Sequence, residues 1–137
     1  MRTKLAHVCI ETSDLEGTEA FYRVLGLERR FEFRNLQGEL VGFYLAFSDQ
    51  TFIEVIRTNK PGAAGIIGHF AIEVDDIDEV YSRLKKHDIT VTEKQRAKDH
   101  LWMITCHDPN GIFIELQQYT AQSMQLVGGV CEVDYQP

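Results

Sequence analysis

His7-Val8-Cys9-Ile10-Glu11-Thr12-Ser13-Asp14-Leu15 has a counterpart further along the chain, His69-Phe70-Ala71-Ile72-Glu73-Val74-Asp75-Asp76-Ile77, in which His, Ile, Glu and Asp all recur 62 positions later. A second echo, Phe52-Ile53-Glu54 and Phe113-Ile114-Glu115, is displaced by 61 positions. Self-similarity at a fixed offset marks a duplicated structural unit, so it constrains the fold before any local propensity is weighed. The chain divides into module one at residues 4–58, a linker at 59–65 with a proline and glycines, module two at 66–119 and a tail at 120–137.

Working outward, each module opens on a short apolar, β-branched run, Leu5 to Glu11 or Ile66 to Val74, which predicts a strand. A helix follows. In module one Ser13 and Glu16 form a capping-box pattern, Leu15, Phe21, Val24 and Leu25 supply the apolar stripe, and Gly26 suits the stop, although Gly17 weakens the helix. In module two Asp75 or Asp76 caps, and Ile77, Val80, Tyr81 and Leu84 recur at helical spacing before a turn near Asp88. Three strands complete each module: 27–34, 39–48 and 51–57, then 89–95, 100–107 and 112–119, the last two separated by the turn Asp108-Pro109-Asn110-Gly111. The predicted class is α+β, with two tandem βαβββ modules in one domain forming a cupped, mostly antiparallel sheet whose helices lie on the outer face.

Composition limits the function classes. At 137 residues and 44% hydrophobic, the chain is long enough for one sizeable core. A net charge of -7 gives no field to attract a phosphate backbone, so nucleic acid is not expected as a partner. No stretch approaches the roughly 20 apolar residues of a membrane span, and the start lacks a secretory apolar run, so a soluble, cytoplasmic protein is expected. Cys9, Cys106 and Cys131 are odd in number and lack metal-ligand spacing, which reads as buried, inert thiols.

Alternation along the strands picks out the chemistry. His7, Cys9 and Glu11 share one face, as do His69 and Glu73, while Glu54 and Glu115 each oppose apolar neighbours on their own strand. A carboxylate amid Phe, Ile, Leu and Val is costly to desolvate unless paired or bound to a cation. Any one of these residues alone is as well read as a hydrogen-bonded histidine or a solvated carboxylate. The doubled spacing, 47 from His7 to Glu54 and 46 from His69 to Glu115, selects a metal site of two nitrogen and two oxygen donors. Zn, Ni, Co, Mn and Fe(II) all suit such a set.

With its Phe21-Tyr22-Arg23-Val24-Leu25-Gly26-Leu27 helix end, its Gly68-His69 strand start and its Asp108-Pro109-Asn110-Gly111 turn before Ile114-Glu115, this constellation resembles the vicinal oxygen chelate superfamily, the glyoxalase–bleomycin resistance–dioxygenase fold. In ligand types it is most similar to the bacterial glyoxalase I (lactoylglutathione lyase) branch. The resemblance implies a divalent metal held by His7, Glu54, His69 and Glu115, a small-molecule substrate with two adjacent oxygens, a thiol co-substrate such as glutathione, and a homodimer. It also implies a 1,2-proton shift on a hemithioacetal through an enediolate, with Glu115 as the base and Glu54 as ligand and second acid–base group. Relatives with other activities remain open on this scaffold: epimerases, which put Gln where this chain has Glu54, extradiol dioxygenases and thiol transferases with two His and one Glu, and non-catalytic binding proteins, which lack the metal set.

Two positions depart from the glutathione pattern of that branch. Glu11 stands where an Arg pairs with a glutathione carboxylate, and Thr58, with Asn59 beyond it, stands where an Asn is usual. Like charge would repel that carboxylate, so a different thiol or substrate is expected. Glu11 and Glu73 read as solvated. Arg57, Lys60, Arg96 and Lys98 lie near loops and are placed to meet an anionic tail or simply to be solvated, and His87, His100 and His107 read as surface histidines. Trp102, Met103 and Ile104 read as core or cavity wall. The tail, with Met124, Leu126, Val127 and Val130, is too apolar for a disordered end and is expected to cover a cavity or a partner subunit.

Overall fold

A computed structural model describes residues 5, 7–49, 51–60, 67, 69–128 and 130–131. Two compact units emerge, Met1–Gly65 and Ile66–Pro137. Residues 61–65 of the expected linker lie outside the described residues.

The first unit runs β1 (His7–Thr12), α1 (Leu15–Val24), β2 (Glu28–Arg34), β3 (Leu40–Ala46) and β4 (Phe52–Arg57). The second runs β5 (Phe70–Glu73), α2 (Ile77–Lys86), β6 (Gln95–Arg96), β7 (Trp102–His107) and β8 (Phe113–Gln118), with a short α3 (Met124–Val127) after it. Each unit holds a four-stranded sheet, ordered β1-β4-β3-β2 and β5-β8-β7-β6. In each sheet the first strand pairs parallel with the last and the other pairings are antiparallel. The α+β class and the doubled βαβββ order therefore hold.

Period-two alternation builds the core. In β3 and β4 Phe43, Leu45, Ile53 and Val55 are buried, and they pack with Ile10, Phe21 and Tyr22 beneath α1. Their strand neighbours Tyr44, Phe52, Glu54 and Ile56 sit on the other face, only half buried. The second unit repeats this, with Ile104, Ile114 and Leu116 buried beside Ile77 and Leu84 of α2, and Phe113, Glu115 and Gln117 on the other face. Burying each large side chain contributes about 1.5–3 kcal/mol, so one face of every central strand is committed to the helix. The opposite face is left to the polar residues.

Local signals place the helices with one correction. Asp14, not Ser13, caps α1, its carboxylate accepting from Gly17 N at 2.9 Å, while Thr12 Oγ1 accepts from Asp14 N at 2.9 Å. β1 runs on through Thr12, whose side chain is buried, and this moves the helix start one residue later than the capping-box pattern suggests. It also explains Gly17, since a Cβ there would stand 2.2 Å from the Asp14 carboxylate and dislodge the cap. Gly26 ends α1 with φ of 87°, as Leu27 N donates to Tyr22 O and Gly26 N to Arg23 O. Asp76 caps α2, and Asp88 (φ 58°) ends it in the same way, Ile89 N reaching Leu84 O.

The expected strand at 89–95 is replaced by a single bridge, Val91 with Cys106, and the two-residue β6. Thr92 is the cause: its hydroxyl accepts from Thr105 N at 2.8 Å, taking the donor that a continuous ladder would use. His100 (φ 70°) lies in the turn before β7, so that strand starts at Trp102. The tail is tied to this turn. Met124 N donates to Asp99 O, and the Thr120 and Ser123 hydroxyls donate to His100 O. Leu126 and Val127 are exposed, and residues 132–137 lie outside the described residues. Among the described residues no helix is long and apolar enough to cross a membrane.

Candidate metal centre

His7, Cys9 and Glu11 project from β1 on the face away from α1, as their alternation requires. Glu54 faces the same way from β4. Register then decides its neighbours: parallel pairing sets Cys9 beside it, and antiparallel pairing sets Tyr44 on its other side. His7 Nε2 stands 3.4 Å from Glu54 Oε2. In the second unit His69, one residue ahead of β5, places its Nε2 3.6 Å from Glu115 Oε1. Ala71 and Thr105 occupy the positions of Cys9 and Tyr44 there.

The carboxylates are the buried partners, with 21% and 19% of the Glu54 and Glu115 side chains exposed, against 40% and 47% for the two imidazoles. Each carboxylate is held. Tyr44 donates its hydroxyl to Glu54 Oε2 at 2.7 Å, and Cys9 Sγ donates to Oε1 at 3.8 Å. Gln117 Nε2 donates to Glu115 Oε2 at 2.8 Å. Donation to Glu54 holds the Tyr44 phenol above its usual pKa, with desolvation adding to the effect.

Both nitrogen–oxygen separations exceed a strong hydrogen bond of about 2.7–3.2 Å. Two ligand atoms each about 2.1 Å from a zinc-sized ion and set about 110° apart lie about 3.4 Å from each other. Each pair thus fits two adjacent ligands of a divalent ion. The remaining His7 nitrogen, Nδ1, is 3.4 Å from the Tyr44 hydroxyl, so Nε2 is the nitrogen turned toward the carboxylate. Among the described residues no group of three or more His, Cys, Asp or Glu side chains forms a ready metal cage, so the donors come together two by two.

The family model described as the Glyoxalase/Bleomycin resistance protein/Dioxygenase superfamily matches residues 4–116. The chain belongs to this superfamily. Lactoylglutathione lyases from Neisseria meningitidis serogroups A and B are each 27% identical, the match covering 84% of this chain and 90% of theirs. Solved structures share the fold. A putative glyoxalase family protein from Bacillus anthracis superposes with a TM-score of 0.72 at 23% identity, covering 88% of this chain and 98% of its own. A lactoylglutathione lyase from Agrobacterium tumefaciens gives 0.64 at 23% identity, covering 85% and 94%. A fosfomycin resistance protein from Listeria monocytogenes gives 0.72 at 18% identity, covering 90% and 98%.

For this glyoxalase-superfamily chain, the sequence reading missed what surrounds Glu54 and Glu115. Tyr44 and Gln117 carry no marker that sets them apart from other strand residues, since their roles come from cross-strand register and from same-face spacing. Cys9 corrects the expectation of buried thiols: it is exposed, whereas Cys106 is buried and Cys131 intermediate. Burial and the Asp108 charge push the Cys106 thiol up to about 11. At Cys9, partial desolvation of the sulfur raises the pKa, and the Glu54 and Glu11 charges raise it further. An exposed thiol that holds its proton is a slow nucleophile at neutral pH. In the metal-free Cys131→Ser protein, Glu54→Gln removes one raising charge and lowers the Cys9 pKa, so iodoacetamide labelling at pH 7.5 is expected to accelerate several-fold. An unchanged labelling rate would remove Glu54 as a cause.

Arg57 pairs loosely with Glu39 at 3.7 Å, and Arg96 lies over Trp102 with Lys94. His107 is exposed but not isolated, its ring 5.2 Å from Phe113, which also meets His69 at 5.9 Å. Glu11 and Glu73 are exposed at the far ends of their strands.

Proposed function

We propose that this chain is a metal-dependent lyase or isomerase of the glyoxalase I type, moving a proton between adjacent carbons of a small vicinal-oxygen substrate such as a thiol hemithioacetal. One observation carries the reading: the duplicated pairing of His7 with Glu54 and of His69 with Glu115, at nearly the same donor separation in both units. In this proposal His7, Glu54, His69 and Glu115 serve one divalent cation. Family membership and the distant lactoylglutathione lyase relatives support the same reading.

When bound, the cation supplies Lewis acidity to two neighbouring substrate oxygens. The protein's own groups do the rest. Glu54 is fixed by Tyr44 and Cys9, which suits a permanent ligand, whereas Glu115 takes one side-chain hydrogen bond, from Gln117 on its own strand. Glu115 accepts the proton from the carbon bearing sulfur and hydroxyl and returns it to the former carbonyl carbon, while the hydroxyl proton passes to the former carbonyl oxygen. The product is a 2-hydroxy thioester. The exposed faces of His7 and His69 leave a route for the substrate. Glu11 sits on the site face of β1 and opposes a glutathione carboxylate at that edge, so the thiol portion differs from glutathione or binds with its charge elsewhere.

The test mixes protein loaded with Ni, Zn, Co or Mn with methylglyoxal and a panel of thiols, following thioester absorbance. Formation of a thioester with at least one thiol is the expected result. Failure with every metal and thiol, with oxygen uptake on a catechol by the Fe(II) protein instead, would move the chain to the dioxygenase chemistry of the same superfamily.

A further inference from the structure

On the site face of the first unit the rings of Phe31, Phe33, Tyr44 and Phe52 touch in sequence. Phe31 stacks on Tyr44 at 4.4 Å with a 28° interplanar angle, Phe33 meets both, and Tyr44 meets Phe52 at 5.4 Å. This aromatic surface is continuous with the candidate centre, because the same Tyr44 donates to Glu54 and its ring lies 5.5 Å from the His7 ring. Its outer end is open: Phe31 is 46% exposed on the edge strand. Among the described residues the second unit keeps Phe113 where the first has Phe52 but repeats neither Tyr44 nor its stacked partner, since Thr105 and Met103 stand on the equivalent face of β7. Core packing does not account for the asymmetry, because the core of the first unit lies on the other face of the sheet.

A β-bulge adds a cation. Arg29 is registered with Leu45 and Phe31 with Tyr44, which leaves Arg30 as the extra residue between them. Arg29 goes with the helix side, over Phe43 and paired with Glu19 and Glu32. Arg30 goes with the site face, its guanidinium 5.7 Å from the Phe52 ring. Among the described residues Arg30 has no carboxylate partner, and Glu28, which shares this face opposite Ala46, is not ion-paired to it. Glu11 lies on β1, at the opposite edge of the same sheet. An anionic group over this sheet is thus repelled at the β1 edge and attracted at the β2 edge.

We propose that Phe31, Phe33, Tyr44 and Phe52 form a subsite for a planar aryl group of the substrate, with Arg30 receiving a carboxylate on that ring. The inference rests on the proposed function for the reacting end of the molecule and adds the identity of the other end. It makes aryl-substituted 2-oxo compounds and their thiol adducts, rather than methylglyoxal, the preferred substrate class. Ring-on-ring contact favours a flat face over a puckered one, and the guanidinium adds charge and further stacking.

The test begins without metal or turnover. Benzoate and cyclohexanecarboxylate have the same charge and similar size, but only one is planar. In NMR titrations of the full metal-free chain, benzoate is expected to bind about fivefold more tightly and to shift the Phe31, Phe33 and Arg30 side-chain signals. Phe31→Ala, on an exposed ring outside the core, should erase that preference. Arg30→Gln should weaken benzoate while leaving the neutral benzyl alcohol unchanged. Equal affinity for both acids, no binding, shifts confined to other residues, or a preference that survives Phe31→Ala would each overturn the subsite. A second arm compares kcat/KM for phenylglyoxal and methylglyoxal adducts in metal-loaded protein, where Phe31→Ala should lower only the former. Benzoate selectivity in a protein with no turnover overturns the chemistry and keeps the subsite, whereas turnover with no ring preference does the reverse.

Discussion

Glu115→Gln is expected to lower kcat by about 10²- to 10⁴-fold with little change in KM, the range that removal of a positioned acid–base group produces. The substitution keeps the volume of the side chain, and Ile114 and Leu116 on either side remain fully buried against the second unit's core, so the fold should persist. An amide oxygen can still accept from Gln117 and still face a cation, but it cannot take a proton from carbon at neutral pH. Circular dichroism and metal content should match the parent. Solvent deuterium incorporation into the product should fall in step with turnover. Should kcat survive in this variant, the proton is carried by another group, and Glu54 becomes the residue to replace.

His69→Ala should weaken metal binding by about a hundredfold or more, since even the loss of an outer hydrogen-bond partner of a ligand costs ten- to a hundredfold. Equilibrium dialysis with elemental analysis measures it. On the proposed reading the parent holds one ion per chain, and His7→Ala should cost as much as His69→Ala. Two ions per chain, falling to one in either variant, would mean that the pairs act separately. Stoichiometric metal retained at parental affinity in His69→Ala would remove that residue from the site. His69 is exposed and precedes β5, so its truncation leaves the core intact and a loss of metal is not a symptom of unfolding.

The two variants separate two roles that a single activity assay would merge. His69→Ala tests where the cation sits, and Glu115→Gln tests which group moves the proton. A binding protein without turnover would respond to the first and be indifferent to the second.

What the chain order determined by itself was the duplication, and with it the class of fold. Alternation with a period of two put His7, Cys9 and Glu11 on one face and set Glu54 and Glu115 against their apolar neighbours, since side-chain direction along a strand follows from backbone geometry alone. Asp76, Gly26 and the Asp108 turn were legible for the same reason, because their hydrogen bonds close within a few residues. Elements that depend on competition between neighbours were not. Thr92 supplies a hydroxyl where a ladder bond was expected, and Thr12 extends β1 up to the residue before Ser13, so both boundaries moved.

Tertiary structure decided who stands beside whom. Parallel pairing of β1 with β4 and antiparallel pairing of β3 with β4 bring Cys9 and Tyr44 to Glu54 across 45 and 10 residues of chain. The bulge in β2 puts the adjacent residues Arg30 and Phe31 on the same face, where strict alternation would have parted them. Register is set by the burial of whole strand faces, a sum over many distant side chains, and so it becomes visible only once the sheet has formed.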